Sequence, residues 1–376
     1  MRSNGRYNVL FLFFAVLLVS VFGCTTAPRK TPETEGYETL PGGGSIRIAR
    51  WHDDMRAACS ITFDDGTLDQ YVVAAPELDR RCLKATFFLI TEYRDNGCWY
   101  DSGQKRLLFS WSQARRLAKA GHEVGSHSRF HRDLSGNAPY VEEELAGSLL
   151  KISLEIPFAR CVTFCWPYWR SSEAGRVTAA GYYISARGGT VTGSYLNTNG
   201  GVPSASPEDM YAVNACGALR RDSDELWHGI GREALKAGGW FVFNFHGMDD
   251  GSIRRDSLGW QPLPVERFGN VLDWLQSQDF WIGTFGSVSR YITERDNAVM
   301  DLKHYSYRSI VFSVEDGLDD RVYDQDLTVV MSLPRGWRSP RVYQGMRRLR
   351  YRTADGGGIV FDVRPNGRQV RLYGDS

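Results

Sequence analysis

The reading of this chain turns on the stretch Ser60-Ile61-Thr62-Phe63-Asp64-Asp65-Gly66, "SITFDDG". A strand-like run ends there in two adjacent carboxylates and a glycine. Like charges that close repel, and neither is buried cheaply without a partner. A solvated strand end would hold the pair without any chemistry, because aspartate and glycine are ordinary loop residues. The two readings differ in whether the rest of the chain supplies a cation.

A second stretch, "GSHSRFHRDL" (125–134), offers one. His127 and His131 stand four residues apart. On a helical turn that spacing puts both imidazoles on one face. Two imidazoles and a carboxylate from elsewhere can hold a divalent ion and leave a position for water and substrate. Further on, "WFVFNFHG" (240–247) reads as a strand that ends in His246.

Strand-like and helix-like segments alternate between these stretches. "ACSITF", "KATFFLI" (84–90), "HEVGSH", "CVTFCWPY" (161–168), "YYISARG" (182–188), "WFVFNFHG" and "WIGTFGS" (281–287) read as strands. "WSQARRLAKAG" (111–121), residues 140–156 and residues 265–278 have helical periodicity. Such alternation predicts a parallel α/β barrel or a doubly wound sheet. Barrel chemistry sits at the C-terminal ends of strands, where Asp64, Asp65, Tyr168, Arg187 and His246 all fall. After residue 296 the texture changes to short strand-like runs separated by Gly, Pro and Asp, which predicts a small antiparallel β-sandwich over 297–376. Its arginines from Arg335 onward read as a solvated strand face.

These motifs together resemble the polysaccharide deacetylases, metal-dependent carbohydrate esterases with a NodB-type domain and a distorted (β/α) barrel. Thr62 to Gly66 match the family's T-F-D-D-G. His127, Ser128 and His131 match its H-[ST]-x-x-H, and His246 matches its late strand histidine. The resemblance covers roughly residues 50–293. It implies that Asp65, His127 and His131 bind a divalent metal, with zinc suiting the ligands. It implies Asp64 as general base, His246 as general acid and the Tyr168 backbone N–H as oxyanion donor. Pro167, Tyr168, Trp166 and Trp169 would contact the substrate, an acetylated polysaccharide. The acetyl bond would be an N-acetyl amide of an amino sugar, or alternatively an O-acetyl ester of the xylan kind. A carbohydrate-binding protein that has lost turnover is a further alternative.

One departure stands out. The family's third motif carries an arginine that supports the catalytic aspartate, and here Cys165 stands in its place in "FCWPYW". A cation beside Asp64 would lower its pKa by about 1 to 3 units. Arg187 is expected to replace it from a neighbouring strand, with Arg170 as a second candidate. Cys165 itself reads as a small buried hydrophobe.

The 376 residues carry a formal net charge of +1, which gives no reason to expect nucleic acid. Arg2 and Arg6 precede an apolar run from Val9 to Phe22 and then Gly23-Cys24, the pattern of an export signal. The run is short for a membrane span, although a single anchor is the alternative. "VFGC" resembles a bacterial lipoprotein signal. That resemblance implies cleavage after residue 23, lipidation of Cys24 and membrane attachment in the cell envelope, with plain secretion as the alternative. Residues 24–44 read as a flexible tether and residues 45–296 as the deacetylase-like domain. The pairing of Cys59, Cys82, Cys98, Cys161, Cys165 and Cys216 cannot be read from spacing. Cys161 and Cys165 alone can be excluded as partners, because four strand residues span roughly 13 Å.

Overall fold

A computed structural model describes residues 38–40, 44–136, 139–188, 204–354 and 356–374. The expected export signal and Cys24 lie outside the described residues. Among the described residues no helix is long and apolar enough to cross a membrane.

Eight parallel strands build the first layer. They are β1 Ala57–Phe63, β2 Thr86–Leu89, β3 Glu123–Ser126, β4 Thr163–Cys165, β5 Ser185–Arg187, β6 Cys216–Gly217, β7 Trp240–Phe245 and β8 Phe280–Ile282. Their order is β6-β7-β1-β2-β3-β4-β5, and β8 pairs with the first residues of β1. A bridge from Arg187 to Val213, just before β6, brings the far edge back toward the near one. The sheet therefore curls into a distorted barrel. Every residue of β1 and of β7 is buried, as expected for parallel strands covered on both faces.

Helices cover the outside: α1 Ala75–Arg80, α2 Trp111–Lys119, α3 Val141–Glu155, α4 Glu173–Ala179, α5 Asp224–Ala237, α6 Val265–Ser277 and α7 Phe285–Asn297. Their starts follow local chemistry. Ser110 and Gln113 form a reciprocal capping box on α2, and Ser172, Ser223 and Thr284 cap α4, α5 and α7. Thr284 also corrects one expectation. "WIGTFGS" is a strand only as far as Ile282, because the Thr284 hydroxyl accepts from Ser287 N and starts α7.

The C-terminal part is a sandwich of two five-stranded antiparallel sheets. Two of its strands come from the other end of the chain. Glu38–Leu40 pairs with Gly44–Ile48, which pairs in turn with Leu327–Met331. The end of the expected tether is thus part of the sandwich, and the sandwich is not confined to 297–376. Ile46 is buried in its core, so residues 44–48 gain more from that sheet edge than from solvent. Helix α7 joins the two layers. Tyr291 Oη donates to Ala49 O at 2.9 Å, Arg295 donates to Arg50 O at 2.6 Å, and Glu294 accepts from Gln325 N at 3.1 Å.

Candidate active site

Asp64 and Asp65 follow directly after β1, and both are buried. The chain turns sharply there, because Asp65 and Gly66 both take left-handed backbone angles, φ 71° and 70°. A side chain at Gly66 would collide with Arg94 Nη2 and would come within 2.6 Å of Leu89 Cδ2. The turn aims the two carboxylates at different partners.

Asp65 faces the histidines. Its Oδ1 lies 3.6 Å from His127 Nε2 and 3.7 Å from His131 Nε2. These ligand atoms lie within 4.8 Å of one another. Ligands bound tetrahedrally at about 2.1 Å from zinc would be about 3.4 Å apart, so the donor set fits such an ion. The other nitrogen of His127, Nδ1, bonds to Cys165 O at 2.9 Å, which leaves Nε2 aimed at the site. Burial, together with the neighbouring Asp64 charge, pushes the Asp65 carboxyl well above the usual range. Burial lowers His127 and His131. A bound cation would reverse the cost of charging Asp65.

The histidines do not sit on a helical turn, contrary to the expectation from their spacing. Residues 127–134 are irregular, with Ser128 and His131 at φ 67° and 60°. Hydrogen bonds replace the helix. Ser128 Oγ accepts from His131 N at 2.9 Å, and the Glu144 carboxylate on α3 accepts from Arg129 N at 2.9 Å and Phe130 N at 2.8 Å. Sequence reasoning missed Glu144, because its neighbours Glu142 and Glu143 make it look like one more solvated first-turn acid.

Asp64 faces the other way. Arg187 Nη2, at the end of β5, donates to both of its oxygens, one of them at 2.6 Å. Arg187 is the expected stand-in for the third-motif arginine, and the structure brings it to Asp64. Arg170 is placed elsewhere, 3.4 Å from Asp133 on the surface. Cys165 is buried beside the pair, with Sγ 2.7 Å from Arg187 Nη2 and 3.6 Å from Asp64 Oδ1. Burial holds its thiol well above the normal range. Burial alone would raise Asp64, but the Arg187 charge and the nearby His127 and His246 hold it below the usual carboxylate range. Asn244 Nδ2 adds a hydrogen bond to Asp64 Oδ2 at 3.1 Å. A polar residue inside the apolar run "WFVFNF" was the available signal for Asn244. Asp64, His127 and Cys165 also cluster, but the Arg187 cation already occupies the space between Asp64 and Cys165.

His246 follows β7 and lies 3.5 Å from Asp64 Oδ2. Burial pushes its imidazole down to about 4, against the pull of Asp64. It is therefore neutral near pH 7 and needs to take up a proton before it can act as an acid. Gln70 Nε2 bonds to Asp64 O and His246 O, at 2.5 and 2.7 Å, and so ties the two loops together.

The expected aromatic platform divides. Trp166 is fully buried with Nε1 donating to Tyr211 O at 2.8 Å, Pro167 is buried, and Trp169 is buried against the Arg187 guanidinium at 5.0 Å. These are core positions rather than a sugar-facing surface. Tyr168 is 41% exposed and stands 4.7 Å from the His131 ring, opposite Trp99 at 4.8 Å. Trp260 stands 5.0 Å from His246. The mouth is thus rimmed by Tyr168, Trp99 and Trp260.

Residues 53–177 match the polysaccharide deacetylase family. Over those residues the chain is similar to the polysaccharide deacetylases. The match includes Asp64, Asp65, His127, His131 and Tyr168 and stops short of Arg187 and His246, which the barrel brings in. Two curated relatives are similar to parts of this chain, and they carry different names. A gellan lyase from a Bacillus species is 26% identical over 316 residues, which cover 78% of this chain and 12% of that protein. YxkH of Bacillus subtilis, named among the polysaccharide deacetylases, is 32% identical over 124 residues, 32% of this chain and 41% of that one. The chain thus spans about an eighth of the first relative's length and about two fifths of the second's. The deacetylase PplD of Streptococcus pyogenes, solved with acetate, is 23% identical, covering 46% of this chain and 69% of that chain at a TM-score of 0.38.

Proposed function

We propose that the deacetylase domain hydrolyses acetyl groups from a polysaccharide, with N-acetyl amino sugars the favoured substrate. The observation that carries this reading is the meeting of Asp65, His127 and His131 beside the Asp64–Arg187 pair and His246. Asp65, His127 and His131 would hold a divalent metal, zinc by ligand type. When bound, that ion would acidify water and polarise the acetyl carbonyl.

The chain's own residues do the rest. Asp64 stays ionised through Arg187 and accepts the proton of the attacking water. The new bond forms between water oxygen and acetyl carbon, and the bond to the sugar nitrogen breaks. His246 is neutral when the substrate arrives. It lies close enough to Asp64 to take up the released proton and pass it to the leaving amine. The Tyr168 backbone N–H is the oxyanion donor in this reading, and its exposed ring offers an apolar face to a sugar. Acetate and the free amine leave.

An exported, lipid-anchored protein would meet such polymers in the cell envelope, and Cys24 is the proposed attachment point. The gellan lyase relative is named for a polysaccharide, which supports a polymer rather than a small amide as substrate.

The test is acetate release by the purified protein with added zinc, using N-acetylglucosamine oligomers, peptidoglycan, acetylated xylan and gellan. Release by the wild type and not by Asp64→Asn supports the hydrolase, and the responding polymer tells amide from ester. Zinc bound with no acetate from any polymer would favour the binding protein that has lost turnover.

A further inference from the structure

Arg94 begins the short turn Arg94–Asn96 after β2 and looks unexceptional in "TEYRDNG". In the fold it is one of the largest fully enclosed side chains, 2% exposed. Burying a guanidinium is costly unless its charge and donors are satisfied. Among the described residues no carboxylate side chain forms an ion pair with it. Its two terminal nitrogens donate to backbone oxygens instead: Nη2 to Asp65 O at 2.8 Å, and Nη1 to Gly66 O at 3.1 Å and Phe109 O at 2.7 Å. Among the described residues Nε has no hydrogen-bond partner. Its face stacks on Phe109 at 4.6 Å. A methionine would fill this space without desolvating a charge.

Two of the three acceptors belong to the turn that aims Asp65. That turn places a non-glycine residue at φ 71°, a strained conformation kept only when the surroundings impose it. Both carbonyls of the turn end on one guanidinium. The glycine at 66 is required by the same contact, since a Cβ there would displace Arg94.

We infer that Arg94 is a positioning residue of the metal centre: it locks the Asp65–Gly66 turn from behind, so that the Asp65 carboxylate is held toward His127 and His131. The inference rests on the reading that these three residues bind a divalent ion. Arg94 touches neither the ion nor the substrate. Lysine would keep the charge and lose the fork that spans two carbonyls.

The test measures zinc affinity and the visible spectrum of the cobalt-loaded protein for wild type, Arg94→Met and Arg94→Lys, with Asp65→Asn as control. Thermal stability of the metal-free forms is followed in parallel. Both Arg94 variants should bind zinc about 10- to 100-fold more weakly, the range for groups that orient metal ligands, and should shift the cobalt bands. Lysine should be the milder change, and it decides the matter if the methionine variant does not fold. Folded variants with wild-type affinity and an unchanged cobalt spectrum would show that Arg94 only packs the core. Wild-type protein that binds no zinc, or binds it equally after Asp65→Asn, would instead overturn the metal reading itself.

Discussion

Arg187 at the end of β5 donates to both carboxylate oxygens of Asp64 at the end of β1, across the barrel mouth and 123 residues away in sequence. The pair is wholly buried. It restores the cation that Cys165 displaces from the third motif and keeps Asp64 ionised in a buried site.

Arg187→Ala should therefore separate chemistry from metal binding. Asp64 would remain buried without its counter-charge, and breaking such a pair costs about 3–5 kcal/mol. Turnover should fall by at least 10²-fold while zinc content stays at the wild-type level. The check is acetate release paired with metal analysis of the folded variant; unchanged turnover would remove Arg187 from the site.

Glu144 should matter for metal retention more than its distance from the ion suggests. Glu144→Ala leaves the amides of Arg129 and Phe130 without their acceptor, between the two histidines. Unsatisfied buried donors cost about 1–3 kcal/mol. Zinc affinity should drop by about 10-fold or more, and titration calorimetry would measure it. Glu144→Gln retains one acceptor oxygen and should be intermediate.

Tyr168 and Trp166 should respond in opposite ways although they are two residues apart. Tyr168→Ala should raise KM for a polymeric substrate and change the melting temperature far less than a core truncation, since the residue is 41% exposed. Trp166→Ala opens a core cavity and should cost about 3–5 kcal/mol of stability. Denaturant unfolding and initial rates on both variants test the pair.

His122 gives a pH prediction away from the site. It is buried, accepts from Ala85 N at 3.2 Å and faces Asp79 and Lys84. Burial pushes it down to about 4, against 6.5 for the free side chain. The unfolded chain therefore binds this proton first. Its contribution is fully present above pH 6.5 and is lost as the pH falls toward 4, by about 3 kcal/mol. His122→Gln should flatten that part of the stability curve in urea titrations, and an undiminished slope would contradict the assignment.

Much of the barrel was legible in the sequence because its signals are local. Apolar strands, serine caps and periodic helices are set by residues within a turn or two of each other. The site residues were legible for a related reason. Asp64, His127 and His246 each follow directly on a strand, and Asp65 and His131 lie within five residues of one, so a parallel barrel brings them to one rim. Glu144, Arg94 and Gln70 were not legible, since each serves backbone groups of a distant loop and has no pattern of its own.

The amino-acid sequence by itself determined which chemical groups arrive at the barrel mouth and from which strand ends. Only the tertiary structure decided how they share it. Which cation neutralises Asp64, which groups clamp the ligand loops, and which tryptophans face solvent all depend on barrel closure. So does the place of residues 44–48, which join a sheet some 280 positions further on. A buried charge takes the partner that closure brings within hydrogen-bond reach, and no spacing along the chain encodes that distance.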